Sequence, residues 1–195
     1  MKRRVGWIVG GLLLAWAMAL VPLRPAQAIW VFFTQKEAIE IAFSNGESVH
    51  RVPLRKMQPE IKKEIESILG QTVVFNLTKC FQGAIGGQVV GYACIDNVIG
   101  RSRPITYMIK IEHPQGDILH YEVMVYREAI GKEVGGGPFR EQFYGKTLHD
   151  PLEYGEDLRN LAGATMSAVG LRDGFRRLLV LYQRYLKHLP DLSGG

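Results

Sequence analysis

The stretch Leu161–Gly170, LAGATMSAVG, sets a lone threonine, Thr165, among five glycines and alanines: Ala162, Gly163, Ala164, Ala168 and Gly170. Small residues let another body approach the backbone. The chain that follows has the apolar period of a helix. The first N–H groups of a helix lack intrahelical acceptors and stand at the positive end of its dipole. A hydroxyl beside them, with no bulky side chain in the way, is placed to hold a phosphate. Taken alone, Thr165 also reads as an ordinary N-cap, worth about 1 kcal/mol.

Other chemistry is poorly represented. His50, His113, His120, His149 and His188 show no i, i+4 pairing and no acidic or thiol partner at ligand spacing, which argues against a metal site. No G-x-S-x-G elbow is present, and nothing around Ser167 and His149 marks them as nucleophile and base. The run Gly135–Gly137 lacks the Lys-Ser/Thr of a phosphate loop and reads as a connection ended by Pro138. Cys80 and Cys94 form neither C-x-x-C nor a covalent haem signature. If their strands pair about the glycines at 83–87, they fall several residues out of register, at about 3.3 Å per residue. A bridge needs Cα atoms within about 7 Å. The expectation is two buried thiols, with a disulfide as the alternative.

The residues around Thr165 resemble a known motif. Gly163-Ala164-Thr165-Met166-Ser167 is similar to the flavinylation motif of the FMN-binding domain family. That domain occurs in the C subunit of the sodium-translocating NADH:quinone oxidoreductase, the G subunit of the Rnf complex and exported single-domain proteins. The resemblance extends upstream over about residues 72–183. It includes Gly91-Tyr92-Ala93, Gly116-Asp117-Ile118, QFYGKT and REAIGKEVG. In the last, Glu128 and Gly131 match the family's Glu-Thr-Pro-Gly, while Ala129 and Ile130 replace Thr and Pro. Two positions depart from the motif. Ala162 stands where Ser or Thr is usual, and Leu158 where Asp is usual, with Asp157 one step further away.

The resemblance implies an FMN whose phosphate is esterified to Thr165 by a flavin transferase. Gly163, Ala164, Met166, Ser167, Glu128 and Gly131 would complete the cofactor site. It implies an electron carrier working with a membrane or periplasmic redox partner rather than an enzyme with its own substrate. The alternative is a non-redox periplasmic binding or interaction module on a degenerate copy of that fold.

The elements that must position these residues are legible as patterns. Thr34-x-x-Glu37 is a capping box that opens a short helix to about Phe43. Residues 44–57 read as irregular or extended. Pro59 starts a helix whose Ile61, Ile65, Ile68 and Leu69 repeat at helical spacing until Gly70. Strand patterns follow from Thr72, including PITYMIKIEH, where Ile105, Tyr107, Ile109 and Ile111 alternate with Thr106, Met108, Lys110 and Glu112. A turn at 113–117 and the strand ILHYEVMVY complete an antiparallel meander, which needs a helix on one face. A short helix, FREQF, follows Pro138. A long amphipathic helix is expected over about Ser167–His188, with an apolar stripe of Ala168, Leu171, Phe175, Leu178, Leu179, Tyr182 and Leu186. Its other side, Arg172, Arg176, Arg177, Gln183, Arg184 and Lys187, is expected to be solvated. The fold class is α+β. Residues 29–71 form an N-terminal helical segment and 72–195 the FMN-binding domain.

The compartment follows from residues 1–28. Lys2, Arg3 and Arg4 precede an apolar run that ends in Ala26-Gln27-Ala28, the pattern of a secretory signal peptide cleaved after Ala28. An uncleaved membrane anchor is the alternative; the run before Pro22 is short for the roughly 20 residues a span requires. The chain has 24 Lys+Arg and 19 Asp+Glu; four of the basic residues and none of the acids lie in 1–28, so residues 29–195 carry a formal charge of +1. No clustered basic face points to nucleic acid.

Overall fold

A computed structural model of the chain describes residues 29–44, 46–54, 59–70, 72 and 78–191. The expected signal peptide, residues 1–28, and residues 73–77 of the strand expected from Thr72 lie outside the described residues.

Six strands form one antiparallel sheet: β1 (Trp30–Val31), β2 (Ser48–Val52), β3 (Lys79–Ile85), β4 (Gln88–Ile99), β5 (Pro104–Glu112) and β6 (Ile118–Tyr126), in the order β1-β6-β5-β4-β3-β2. Consecutive hairpins β3–β4–β5–β6 make the expected meander. The stretch around residues 48–52 is extended because it pairs with β3 at the sheet edge. The boundary at 71/72 does not divide the sheet, since residues 29–52 supply both of its edge strands.

The β3–β4 hairpin turns at Gly86–Gly87, whose φ values of 58° and 85° suit a two-residue connection. A bulge at Gly83/Ala84 shifts the register, so Cys80 faces Cys94 directly. The two are joined in a disulfide with Cα atoms 4.1 Å apart. This corrects the expectation of two thiols out of register. The turn sits at the C-terminal end of the glycine-rich stretch rather than at its centre, and the bulge supplies the remaining offset.

Helices cover both faces. On one face lies α4 (Thr165–Arg184), followed by a 3-10 turn over Leu186–His188. Its buried stripe meets Tyr92, Val98, Tyr107, Ile109, Tyr121 and Val123 of the sheet. Phe175 is the hub, with ring centroids 5.3, 4.7 and 4.9 Å from Tyr107, Tyr121 and Phe143. α2 (Pro59–Leu69) packs beside α4 through the buried Ile65. On the other face, α1 (Gln35–Ala42), opened by the expected capping box, buries Ala38, Ala42 and Phe43 on Ala93, Ile95, Met108 and Met124. Met108, on the polar side of the β5 alternation in sequence, is therefore core.

Two expectations for the last helix change. It starts two residues before Ser167, with Ala164 as its N-cap and Thr165 as its first helical residue. Thr165 is thus no N-cap. The basic side is paired rather than merely solvated. Arg177 donates from Nε to Asp96 Oδ2 at 3.0 Å and from a terminal nitrogen to the Asn97 carbonyl at 3.1 Å. Thr78 Oγ1 donates to the other oxygen of Asp96 at 2.9 Å, so that nearly inaccessible carboxylate is fully answered. Arg172 and Arg176 both grip Glu153.

Candidate functional site: a cleft at the start of α4

Close packing fixes where α4 begins. A Cβ on Gly174 would lie 2.5 Å from Tyr107 Oη and 2.6 Å from Val98 Cγ1, and one on Gly170 would lie 2.5 Å from the Ile99 carbonyl. These two glycines let the helix lie directly on the end of β4. Its first turn therefore stands beside the β4–β5 loop, residues 100–103, and the segment that leaves β6.

The three segments enclose a cleft of about 560 Å³ lined by Arg101, Ser102, Glu128, Ala129, Ile130, Gly163, Ala164, Thr165, Met166 and Ser167. That volume falls in the range of small-molecule sites, about 300–1,000 Å³. Thr165 and Gly163 are exposed, and Met166 is 54% exposed. A turn from the Leu161 carbonyl to the Ala164 N–H leads into the helix, and the Ala168 N–H closes its first turn on the Ala164 carbonyl. No carbonyl or side chain among the described residues accepts from the N–H groups of Thr165, Met166 or Ser167, and the Thr165 hydroxyl has no partner there. No acidic residue occupies that turn. The arrangement presents free donors, a positive dipole end, the Arg101 side chain and a free hydroxyl to one opening.

The floor is held by polar contacts. Tyr126 Oη donates to the Ile130 carbonyl at 2.5 Å and shares a hydrogen bond of 2.9 Å with Ser167 Oγ. Burial raises the Tyr126 pKa, with the Ser167 contact acting against it, and the phenol remains a neutral donor. Gly131 stands behind the wall: a Cβ there would lie 2.7 Å from Tyr126 Oη and 2.9 Å from Ala164 Cβ. Ser167 is buried, so its hydroxyl braces the floor.

Glu128 is committed to its neighbours. Its Oε1 accepts from the N–H groups of Ser102 at 2.5 Å and Arg103 at 2.7 Å. Burial raises its pKa, but these bonds and the Ser102 hydroxyl outweigh it and hold the carboxyl below its ordinary value. Glu128 therefore pins the β4–β5 loop and is a weak base. Asp157 does similar work in the loop before α4. It accepts from the N–H groups of Leu152 at 3.2 Å and Glu153 at 2.8 Å and pairs with Lys146 at 2.9 Å. Leu158, at the departing motif position, is buried in the core.

All seven residues expected at the site from sequence thus fall in one region, six in the lining and Gly131 behind it. Sequence reasoning missed Arg101, Ser102, Ala129 and Ile130 in the lining and Tyr126 beneath it. The only signal for the first two was a short basic loop, GRSRP, between two strand patterns. Among the described residues, no cluster of His, Cys, Asp or Glu is arranged to hold a metal ion. Comparison with models of known protein families finds no match, and no curated protein matches the chain.

Proposed function

We propose that the protein is an exported FMN carrier, with the flavin phosphate ester-linked to Thr165, acting in electron transfer. The observation that carries this reading is the free, exposed Thr165 hydroxyl at the first position of an uncapped 20-residue helix, inside a cleft of cofactor size. The residues present fit the group. The N–H groups of residues 165–167 and Arg101 suit a phosphate. Gly163 and Ala164 leave room for the chain beyond it, and Ala129, Ile130 and Met166 offer an apolar surface to a planar ring. Bound FMN supplies the redox chemistry. The protein's part is to hold it, keep one side of it dry and set its surroundings.

Attachment makes one demand on the chain. Forming the Thr165 Oγ–phosphorus ester would require an activated flavin diphosphate as donor, whose phosphoanhydride P–O bond breaks as its second phosphate leaves as a phosphate monoester, and the hydroxyl proton would pass to a base. The one carboxylate in the lining, Glu128, is held ionised by backbone donors and is a poor base. The base must come from the flavin transferase. A tether suits an exported protein, because a lost cofactor is not readily replaced outside the cytoplasm.

The test is a flavin absorbance band that survives desalting in protein made alongside a flavin transferase. A colourless product favours the alternative, a non-redox binding module.

A further inference from the structure

The same end of the molecule carries an unusual surface. β1 runs alongside β6 with Trp30 opposite Tyr126, so the described chain begins beside the cleft. Ile29 and Val31 are 61% and 65% exposed, and Trp30 is 42% exposed. In the cleft lining stand Ile130 at 64% and Met166 at 54% exposed. Large apolar side chains grouped this way mark an interaction surface.

Cations frame the group. Lys132 Nζ sits 4.3 Å from the centroid of the Trp30 ring, and Arg101 and Arg103 are exposed on the β4–β5 loop. The acids nearby are Glu128, buried on its backbone donors, and the exposed Glu133. An exposed tryptophan beside a lysine, among protruding aliphatic side chains and a net positive rim, is the composition of a membrane interface. In sequence, the apolar run of residues 5–20 lies eight residues before this surface.

We infer that this end docks on an anionic lipid bilayer, with Trp30, Ile130 and Met166 in the headgroup region and Lys132 and Arg103 on lipid phosphates. The surface and the cleft share Ile130 and Met166, so the opening faces the bilayer. On the flavin reading, this orientation sets the cofactor beside a lipid-dissolved or membrane-embedded electron carrier. Docking itself does not depend on that reading.

The test uses flavin-free, dialysed protein carrying Thr165→Val, so its outcome is separate from that of the cofactor claim. The chain has three tryptophans, Trp7, Trp16 and Trp30. With Trp7→Phe and Trp16→Phe, Trp30 is the sole reporter whether or not residues 1–28 are retained. Vesicles of equimolar phosphatidylglycerol and chain-brominated phosphatidylcholine should shift Trp30 emission to the blue and quench it. Moving the reporter to the cleft lining, with Trp30→Phe and Ile130→Trp, should give the same quenching. A reporter at the far end of β6, with Trp30→Phe and Leu119→Trp, should stay unquenched. In protein from which residues 1–28 have been processed, Lys132→Glu should weaken partitioning at least about fivefold, the effect of one cation at an anionic surface. Quenching at 30 without quenching at 130 would overturn the inference, because only the chain start would then lie at the bilayer. Equal quenching at 119, or binding of the processed protein that is indifferent to salt and to phosphatidylglycerol, would overturn it too.

Discussion

The two ends of α4 treat their polar groups in opposite ways. In its C-terminal half, Arg177 lies against the sheet and its charge is paired: Asp96 accepts from it and from Thr78, and the Asn97 carbonyl takes a further N–H. In its first turn, the N–H groups of residues 165–167 and the Thr165 hydroxyl are left open beside a cleft. Buried polar groups without partners are costly, so the first arrangement belongs to the scaffold. Open donors at a helix start meet water or a ligand at little cost to the fold. The contrast teaches that stability and function occupy different turns of one helix, and changes at the two ends should separate accordingly.

The largest expected effects lie in the middle of the helix. Phe175→Ala removes the ring that meets Tyr107, Tyr121 and Phe143 and should cost about 3–5 kcal/mol in denaturant unfolding. A loss below about 1 kcal/mol would show that the core is not centred there. Arg177→Ala leaves Asp96 charged and buried and should cost about 3–5 kcal/mol. Replacing both members with leucine should recover much of that loss; if it does not, the pair does more than balance its own charges.

The disulfide comes next. Its cysteines are 14 residues apart, so Cys80→Ala with Cys94→Ala should cost up to about 3 kcal/mol. Flavin content and reducibility should be unchanged, since both cysteines are buried. Loss of reducibility with flavin still bound would bring the pair into electron flow.

At the cleft the effects should be smaller. Glu128→Gln weakens the hold on the β4–β5 loop and should cost about 1–3 kcal/mol. The carboxyl titrates below its ordinary value. Its contribution is therefore complete above the ordinary glutamate pKa, about 4.3, and is lost as the pH falls through the lower folded value. The difference in melting temperature between wild type and Glu128→Gln should narrow across that acid window. A difference that persists well below it would point to packing rather than charge. The smallest change in stability should come from Thr165→Val, within about 0.5 kcal/mol. A cost near that of a lost N-cap would contradict its place as the first helical residue.

Much of the fold was legible because hydrophobic period survives packing. The β5 alternation, the α1 capping box and the α4 stripe all sit where sequence placed them. Local pattern failed where a tertiary partner decides. Met108 looked polar-facing because α1, which covers it, lies some 70 residues earlier in the chain. The cysteine register depended on which glycines make the turn and on one bulge, neither of which the glycine run marks. Arg177 looked solvated because Asp96 comes to it from β4. At the site, the small-residue stretch around Thr165 marked the turn of α4 that borders the cleft. Arg101 and Tyr126 were missed because their place depends on which loops the sheet brings together. Gly174 carried no signal in the sequence, because its closeness to Val98 and Tyr107 depends on how α4 lies on the sheet.

The central claim is the ester at Thr165, and a tryptic map tests it most directly. Protein made alongside a flavin transferase is denatured, digested and separated. Cleavage after Arg159 and Arg172 releases the peptide Asn160–Arg172. Flavin fluorescence should travel with that peptide, fragmentation should place the added mass on Thr165, and Thr165→Val should abolish both while leaving the protein folded. Wild-type protein with no fluorescent peptide, or fluorescence that persists on the same peptide in Thr165→Val, would contradict the account.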